Sequence, residues 1–165
     1  MKILGIDPGT ATTGWAIIEK TGDNILPLAY GHISTSKDNS DDERILEVSD
    51  DLARIIQKHK PTEAAIESLF FFKNQKTVIQ VAQSRGAILL TLKQNRVRVS
   101  SYTPLQVKQA LTGYGRAEKK QMQLMVQNIL HLKSLPKPDD VADALAIAVC
   151  HANSRILINL KNNHE

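Results

Sequence analysis

The chain has 165 residues, enough for one compact domain with a real core and too few for a comfortable second. Hydrophobic residues make up 42% and charged residues 23%, an ordinary balance for a soluble globular protein. No apolar run approaches the roughly 20 residues that cross a bilayer, and the apolar start within Met1–Asp7 is too short for a secretory signal, so the expected location is the cytoplasm, with no membrane partner. The net charge of +4 is unevenly spread. Residues 1–67 carry a net of −5, residues 68–135 a net of +10 with Glu118 as their single acid, and residues 136–165 a net of −1. A mixed surface would serve solubility better, so a basic face for a polyanion is the natural reading.

In chain order, Lys2–Asp7 is a short apolar strand broken by Pro8-Gly9-Thr10. Gly14–Lys20 reads as a second strand, and Leu26–Thr35 as a third, after the turn at Gly22-Asp23-Asn24. Their short connections predict an antiparallel meander. Ser40-Asp41-Asp42-Glu43 is a capping box that opens a helix carrying Ile45, Val48, Leu52, Ile55 and Ile56 on one face and ending before Pro61. Ala64–Glu67 is a short buried strand. Lys76–Lys93 is a long helix, apolar on more than one face, with Gly86 in its middle. Cover by the sheet and a second subunit, or burial within one domain, would each account for it. Arg96–Tyr102 is a fifth strand. Thr103-Pro104 starts a helix that stops at Gly113, another helix covers Ala117–Leu132, and a last one runs from about Asp139 to Asn153. The order β-β-β-α-β-α-β followed by helices predicts an α/β fold: a five-stranded mixed sheet, meander first and parallel strands after, with helices on both faces. Residues 1–158 form the single domain, and 159–165 read as a fraying polar tail.

Several acids fall where chemistry is done. Asp7 and Glu67 end two strands that look central, and Asp140 and Asp143 share a face of the last helix at i and i+3. Each has an ordinary structural explanation: a turn residue before Pro8, the first exposed residue after a strand, a helix cap at Asp139 or Asp140. Asp143 is hardest to explain so, because Val141, Ala142, Ala144, Leu145 and Ile147 surround it inside the helix. If these acids converge, their like charges raise one another's pKa. A hard divalent cation held by carboxylate oxygens relieves that conflict, and the five histidines and Cys150 form no competing soft-metal set. Cys150 sits in an apolar helical pattern as an inert core thiol. His151 lies near the acids on the same helix; it either assists them or, more commonly for such a histidine, packs or is solvated.

Gly5-Ile6-Asp7-Pro8-Gly9-Thr10, Ala65-Ile66-Glu67-Ser68, Val107-Lys108-Gln109, Gly115-Arg116-Ala117-Glu118-Lys119 and Asp140-Val141-Ala142-Asp143-Ala144-Leu145-Ala146 together resemble the RuvC-type Holliday junction resolvases. The segments stand in the right order and spacing across nearly the whole chain. The resemblance implies a ribonuclease H-like fold, a homodimer, and paired symmetric nicks in opposed strands of a four-way DNA junction. It implies metal-activated water attack on the phosphodiester, leaving a 5′-phosphate and a 3′-hydroxyl. Asp7, Glu67, Asp140 and Asp143 match the family's metal-binding acids. They would hold two Mg²⁺ per site, for which Mn²⁺ can substitute. Asp139 is an extra acid beside that motif, and Asp140 is the least fixed ligand of the four. A branch-migration motor complex is the implied delivery partner.

Lys108 and Lys119 match family lysines near the scissile phosphate, where a cation offsets transition-state charge. Arg116 lies in the loop Gly113-Tyr114-Gly115-Arg116, which can meet a phosphate; a glycine helix stop plus a turn explains the glycines equally well. The chain's only phenylalanines are consecutive, Phe70, Phe71 and Phe72. Core or dimer packing accounts for at least one of them, but an extended segment cannot bury all three on one face, so at least one is exposed. The resemblance places base contacts in this loop, which makes Phe70 or Phe71 the candidate wedge that stacks on junction bases, followed by Lys73 and Asn74. Three other readings stand beside this one: an actin-like ATPase using Gly5–Thr10 as a phosphate loop, a non-catalytic junction binder, and a nuclease of the same fold acting on RNA.

Overall fold

The computed structural model describes residues 1–9, 11–68 and 78–162, with side chains up to residue 154. The elements are β1 (Lys2–Asp7), β2 (Thr12–Thr21), β3 (Asn24–Ser34), α1 (Asp41–His59), β4 (Glu63–Glu67), α2 (Val78–Gln94), β5 (Arg98–Tyr102), α3 (Pro104–Thr112), α4 (Lys119–Ile129) and α5 (Asp139–Asn162). The sheet order is β3-β2-β1-β4-β5. β1 pairs antiparallel with β2, β2 antiparallel with β3, and β1–β4 and β4–β5 are parallel. This is the mixed five-stranded sheet that the element order predicts. Pro27, which lacks an amide donor, sits in edge strand β3, where that lack is tolerated.

Two apolar layers sandwich the sheet. On one face Leu4, Ile6, Ile17 and Ile66 pack against Val48, Leu52 and Ile56 of α1 and Ile88 and Leu92 of α2. On the other, Ile3, Ala16, Ile18 and Ala65 meet α5 through Val141, Ala144, Leu145 and Ala148, with α3 and α4 behind through Val107 and Val126. Alternation along each strand sends successive residues to opposite layers.

Local chemistry sets most boundaries. Ser40 and Glu43 form the expected capping box, and Lys60 ends α1 in a left-handed conformation. Thr103 caps α3 with Pro104 in its first turn, and Gly113 closes it with φ 79°. Several ends differ from expectation: α4 covers Lys119–Ile129, shorter than the expected Ala117–Leu132, and β2 starts at Thr12, before Gly14. β5 begins at Arg98 because Arg96 is left-handed (φ 59°) and the Val97 amide still bonds Leu92 at the end of α2. α5 continues to Asn162, well past Asn153, because no proline or glycine interrupts it.

The α5 helix lies directly on the sheet because two glycines let it. A Cβ on Gly5 would stand 2.1 Å from the Ala144 carbonyl oxygen, and one on Gly14 would stand 2.0 Å from that of Asp140. Both obstacles are backbone and cannot swing aside. We expect Gly5→Ala to lift α5 from β1 and cost about 1–3 kcal/mol of unfolding free energy in urea titrations; an unchanged midpoint would show that the helix is not seated by this contact.

Candidate active site

Asp7 ends β1 and pairs in register with Gly14 of β2, directly beneath the Asp140 backbone. Glu67 ends β4, the parallel neighbour of β1, so both strands deliver a carboxylate to the same end of the sheet. Asp140 and Asp143 reach that end from the first turns of α5. All three other acids act electrostatically on Asp7. Burial is the main reason its pKa is raised from 3.8 to about 8, and the charges of Glu67, Asp143 and Asp140 add to it in that order, against a smaller opposing pull from Lys119. Asp143 is also raised, first by burial and then by Asp140 and Asp139, with Lys119 and Lys108 opposing. By surface area both groups are only half-buried, so one side of each stays open to a ligand.

The extra acid beside the motif has a distinct place. Asp139 is the first residue of α5, but its carboxylate accepts from Lys119 at 2.8 Å and from the Gln123 side chain at 2.9 Å. The hydrogen bond from Lys119 holds its pKa low. Asp139 therefore anchors Lys119 beside the cluster, while Asp140 is the acid whose charge reaches Asp7.

A cleft of about 230 Å³ joins the basic and acidic parts: Glu67, Asp143, Lys108 and Lys119 line it, with Val107 and Met122 among its apolar walls. Lys108 comes from α3 and Lys119 from the first turn of α4. Arg116 stands exposed on the turn between those helices and does not line the cleft. A Cβ on Gly115 of that turn would meet only the end of the exposed Leu105 side chain, which can swing aside. Phe70, Phe71, Lys73 and Asn74 lie outside the described residues.

His151 does not join the acids. It is buried, with Nε2 2.7 Å from Glu63 at the opposite end of β4 from Glu67, and Nδ1 2.7 Å from the Tyr102 hydroxyl. Glu63 also accepts from Arg98 at 2.7 Å. This buried polar chain ties α5 to β4 and β5, and a groove of about 700 Å³ along the β5 edge opens beside it, away from the four acids. Sequence reading missed Glu63; its one signal was a second acid, at the head of the strand that Glu67 ends. Cys150 is buried, its thiol pKa pushed up to about 11 by burial, as suits an inert core thiol.

The donor set tests what the site can hold. Among the described residues, no three His, Cys, Asp or Glu side chains already stand in metal-holding geometry. The acids are near enough to repel one another, and Lys119 is a minor offset at Asp7. An all-carboxylate group short of positive charge fits a hard divalent cation and suits neither zinc nor copper.

Comparison with known proteins agrees with this geometry. Residues 3–151 match the family model described as crossover junction endodeoxyribonuclease RuvC. The protein of that name from Fusobacterium nucleatum is 56% identical over 93% of this chain and 81% of its own length, and that from Halothermothrix orenii is 52% identical over 93% of both. The Thermus thermophilus RuvC structure in complex with a Holliday junction substrate superposes with a TM-score of 0.90 at 34% identity, covering 95% of this chain and 96% of that one.

The raised Asp7 pKa fixes a pH dependence. The folded protein keeps the Asp7 proton to about pH 8, whereas the unfolded chain releases it near 3.8. Between those values the folded state binds more protons, so this group's contribution to stability falls as pH rises. In chelator, Asp7→Asn is expected to melt above the parent at pH 8 and close to it at pH 4, read by circular dichroism; a gap independent of pH would contradict the assignment. An acid cluster at the ends of neighbouring strands, a lysine-lined cleft beside it and matches along nearly the whole chain lead to one conclusion: this chain belongs to the RuvC family of crossover junction endodeoxyribonucleases, metal-dependent nucleases that resolve Holliday junctions.

Proposed function

We propose that the chain resolves four-way DNA junctions by paired symmetric nicks, with Asp7, Glu67, Asp140 and Asp143 as the carboxylates that hold two Mg²⁺ ions, Mn²⁺ being able to substitute. The observation that carries this reading is the convergence of four carboxylates at one end of the sheet, Asp7 and Glu67 from neighbouring strand ends and Asp140 and Asp143 from the start of α5, where burial and the other acids raise the Asp7 pKa. When bound, the divalent ions supply Lewis acidity for water attack and for the leaving oxygen. The chain's own groups do the rest. Asp7 and Glu67 provide fixed oxygens on rigid strand ends, and Asp143 and Asp140 complete the set from α5. Lys119, anchored by Asp139, and Lys108 across the cleft offset charge on the reacting phosphate and hold the backbone in place. Hydrolysis leaves a 5′-phosphate and a 3′-hydroxyl, ends that can be religated. Phe70 or Phe71 is the proposed wedge at the junction centre, with Lys73, Asn74 and Arg116 as further DNA contacts; for these the support is sequence position and family.

A four-way junction presents related strands, so symmetric cutting asks for a twofold enzyme. The outer face of α2 supports a homodimer. Ile79, Ala82, Gly86 and Leu90 fall on one helix face and are exposed; Ile79 is 68% and Leu90 60% accessible. A Cβ on Gly86 would meet nothing within 4 Å, which leaves room for a close second helix. Delivery of the junction by a branch-migration motor complex rests on family membership. A cytoplasmic location fits a chain in which, among the described residues, no helix is long and apolar enough to cross a membrane.

Two experiments test the proposal. A labelled mobile junction, linear duplex and RNA–DNA hybrid are incubated with and without Mg²⁺. Symmetric junction nicks are expected with the parent and should vanish in Asp7→Asn and Asp143→Asn, while junction binding survives; equal cutting of every substrate would sink the reading. Leu90→Glu is expected to sediment as a folded monomer that no longer makes coupled nicks, and a dimer with unchanged pairing would remove α2 as the interface.

A further inference from the structure

We infer that Arg85 and Ser84, adjacent on α2, are positioning residues that hold the two catalytic strand ends in register, so that α2 links subunit pairing to the acid cluster. The inference rests on the dimer and active-site reading above.

Ser84 is buried and its hydroxyl donates to the Gly9 carbonyl at 3.1 Å. Gly9 stands two residues beyond Asp7, and the Thr13 hydroxyl donates to the same carbonyl at 3.2 Å. This turn is tight: a Cβ on Gly9 would stand 2.0 Å from the Thr12 carbonyl oxygen. Arg85 reaches the other strands. Its Nε donates to the backbone carbonyl of Glu67 at 3.1 Å, and its Nη2 donates to the Ser101 hydroxyl on β5 at 2.9 Å. Two consecutive residues of one helix therefore hold the turn after β1, the end of β4 and the end of β5.

These bonds act at the last rungs of the sheet, where β1 and β4 no longer pair with each other. Ile6 pairs with Ile66 at the last β1–β4 register position, so Asp7 and Glu67 are each held by the sheet on one side only, Asp7 by Gly14 of β2 and Glu67 by Tyr102 of β5. Past that point the chain needs other partners to keep its backbone angles. On one side Ser68 donates its amide to Tyr102, at 2.8 Å, and on the other Arg85 takes up the Glu67 carbonyl. A guanidinium suits this task because it is planar, permanently charged and presents several donors in a fixed fork, so it bridges two acceptors on two strands; a lysine ammonium has no such fork. On α2 the proposed dimer face lies opposite Ser84 and beside Arg85. A helix turn is stiff, so a partner packed on Ile79 and Leu90 restrains the same turns that carry Ser84 and Arg85. Neither residue lines the lysine-bearing cleft, so their effect reaches the reaction through Asp7 and Glu67.

The test uses the full-length dimer and the variants Arg85→Ala, Arg85→Lys and Ser84→Ala. Arg85→Ala is expected to lower the single-turnover nicking rate by about tenfold or more and to raise the Mg²⁺ concentration for half-maximal rate. Junction affinity, measured in an Asp7→Asn background, should stay within about twofold. Free guanidinium ion should restore part of the Arg85→Ala rate, and Arg85→Lys should recover less than half. Amide exchange supplies a readout independent of cleavage: in the metal-free dimer the Ser68 amide should exchange about tenfold faster in Arg85→Ala than in the parent. A rate within twofold of the parent in a folded dimer, unchanged Ser68 exchange, or a loss that tracks junction affinity would overturn the inference; the last would make Arg85 a DNA contact. If Arg85→Ala does not fold, Ser84→Ala decides: about a threefold or greater loss supports the strap, and no loss overturns it. A parent that fails to nick junctions would defeat the functional reading instead, and Ser68 exchange would still judge the strap.

Discussion

Everything at the active end of this molecule depends on how closely α5 approaches the sheet. Gly5 and Gly14 face the helix backbone at distances where any Cβ would collide with the carbonyls of Ala144 and Asp140. The small residues Ala144 and Ala148 continue that contact along α5. With no side chains between them, the helix carries its first-turn acids within electrostatic reach of Asp7. A sheet with larger residues at those two positions would hold α5 further off, and the cluster would lose two of its four carboxylates.

That proximity has an energetic cost which the fold retains. Burial and three like charges push Asp7 far above the ordinary carboxylate range, so without a counter-ion the cluster is a source of instability near neutral pH. The structure offsets this only in part, through Lys119 and Lys108. Asp139 has a clear part here: exposed itself, it fixes Lys119 at the rim without adding to the charge on Asp7. Rigid support comes from both layers, the buried Glu63–His151–Tyr102 chain on the α5 side and the Ser84 and Arg85 contacts on the α2 side. A site that must collect like charges has to be held from several directions, because its own members repel.

The sequence by itself determined a good deal. Strand alternation, the Ser40 and Thr103 caps and the Gly113 stop are local, so the mixed sheet and most helix limits could be read directly. Asp7 and Glu67 stood out in the sequence as acids at the ends of apolar strands and Asp143 as an acid inside an apolar helix, and the family resemblance grouped them with Asp140. What only the tertiary structure decided involves contacts between residues far apart in the chain. It paired Asp139 with Lys119, which reaches it from a different helix. It placed His151 with Glu63, 88 positions away, at the far end of β4 from Glu67. It gave Arg85 its partners, since a mid-helix arginine shows nothing in sequence of the carbonyl it will hold. It also explained Gly5 and Gly14, whose reason is a helix more than a hundred residues downstream. Local propensity and periodicity act within a few residues, whereas these pairings arise only when packing brings distant backbone together.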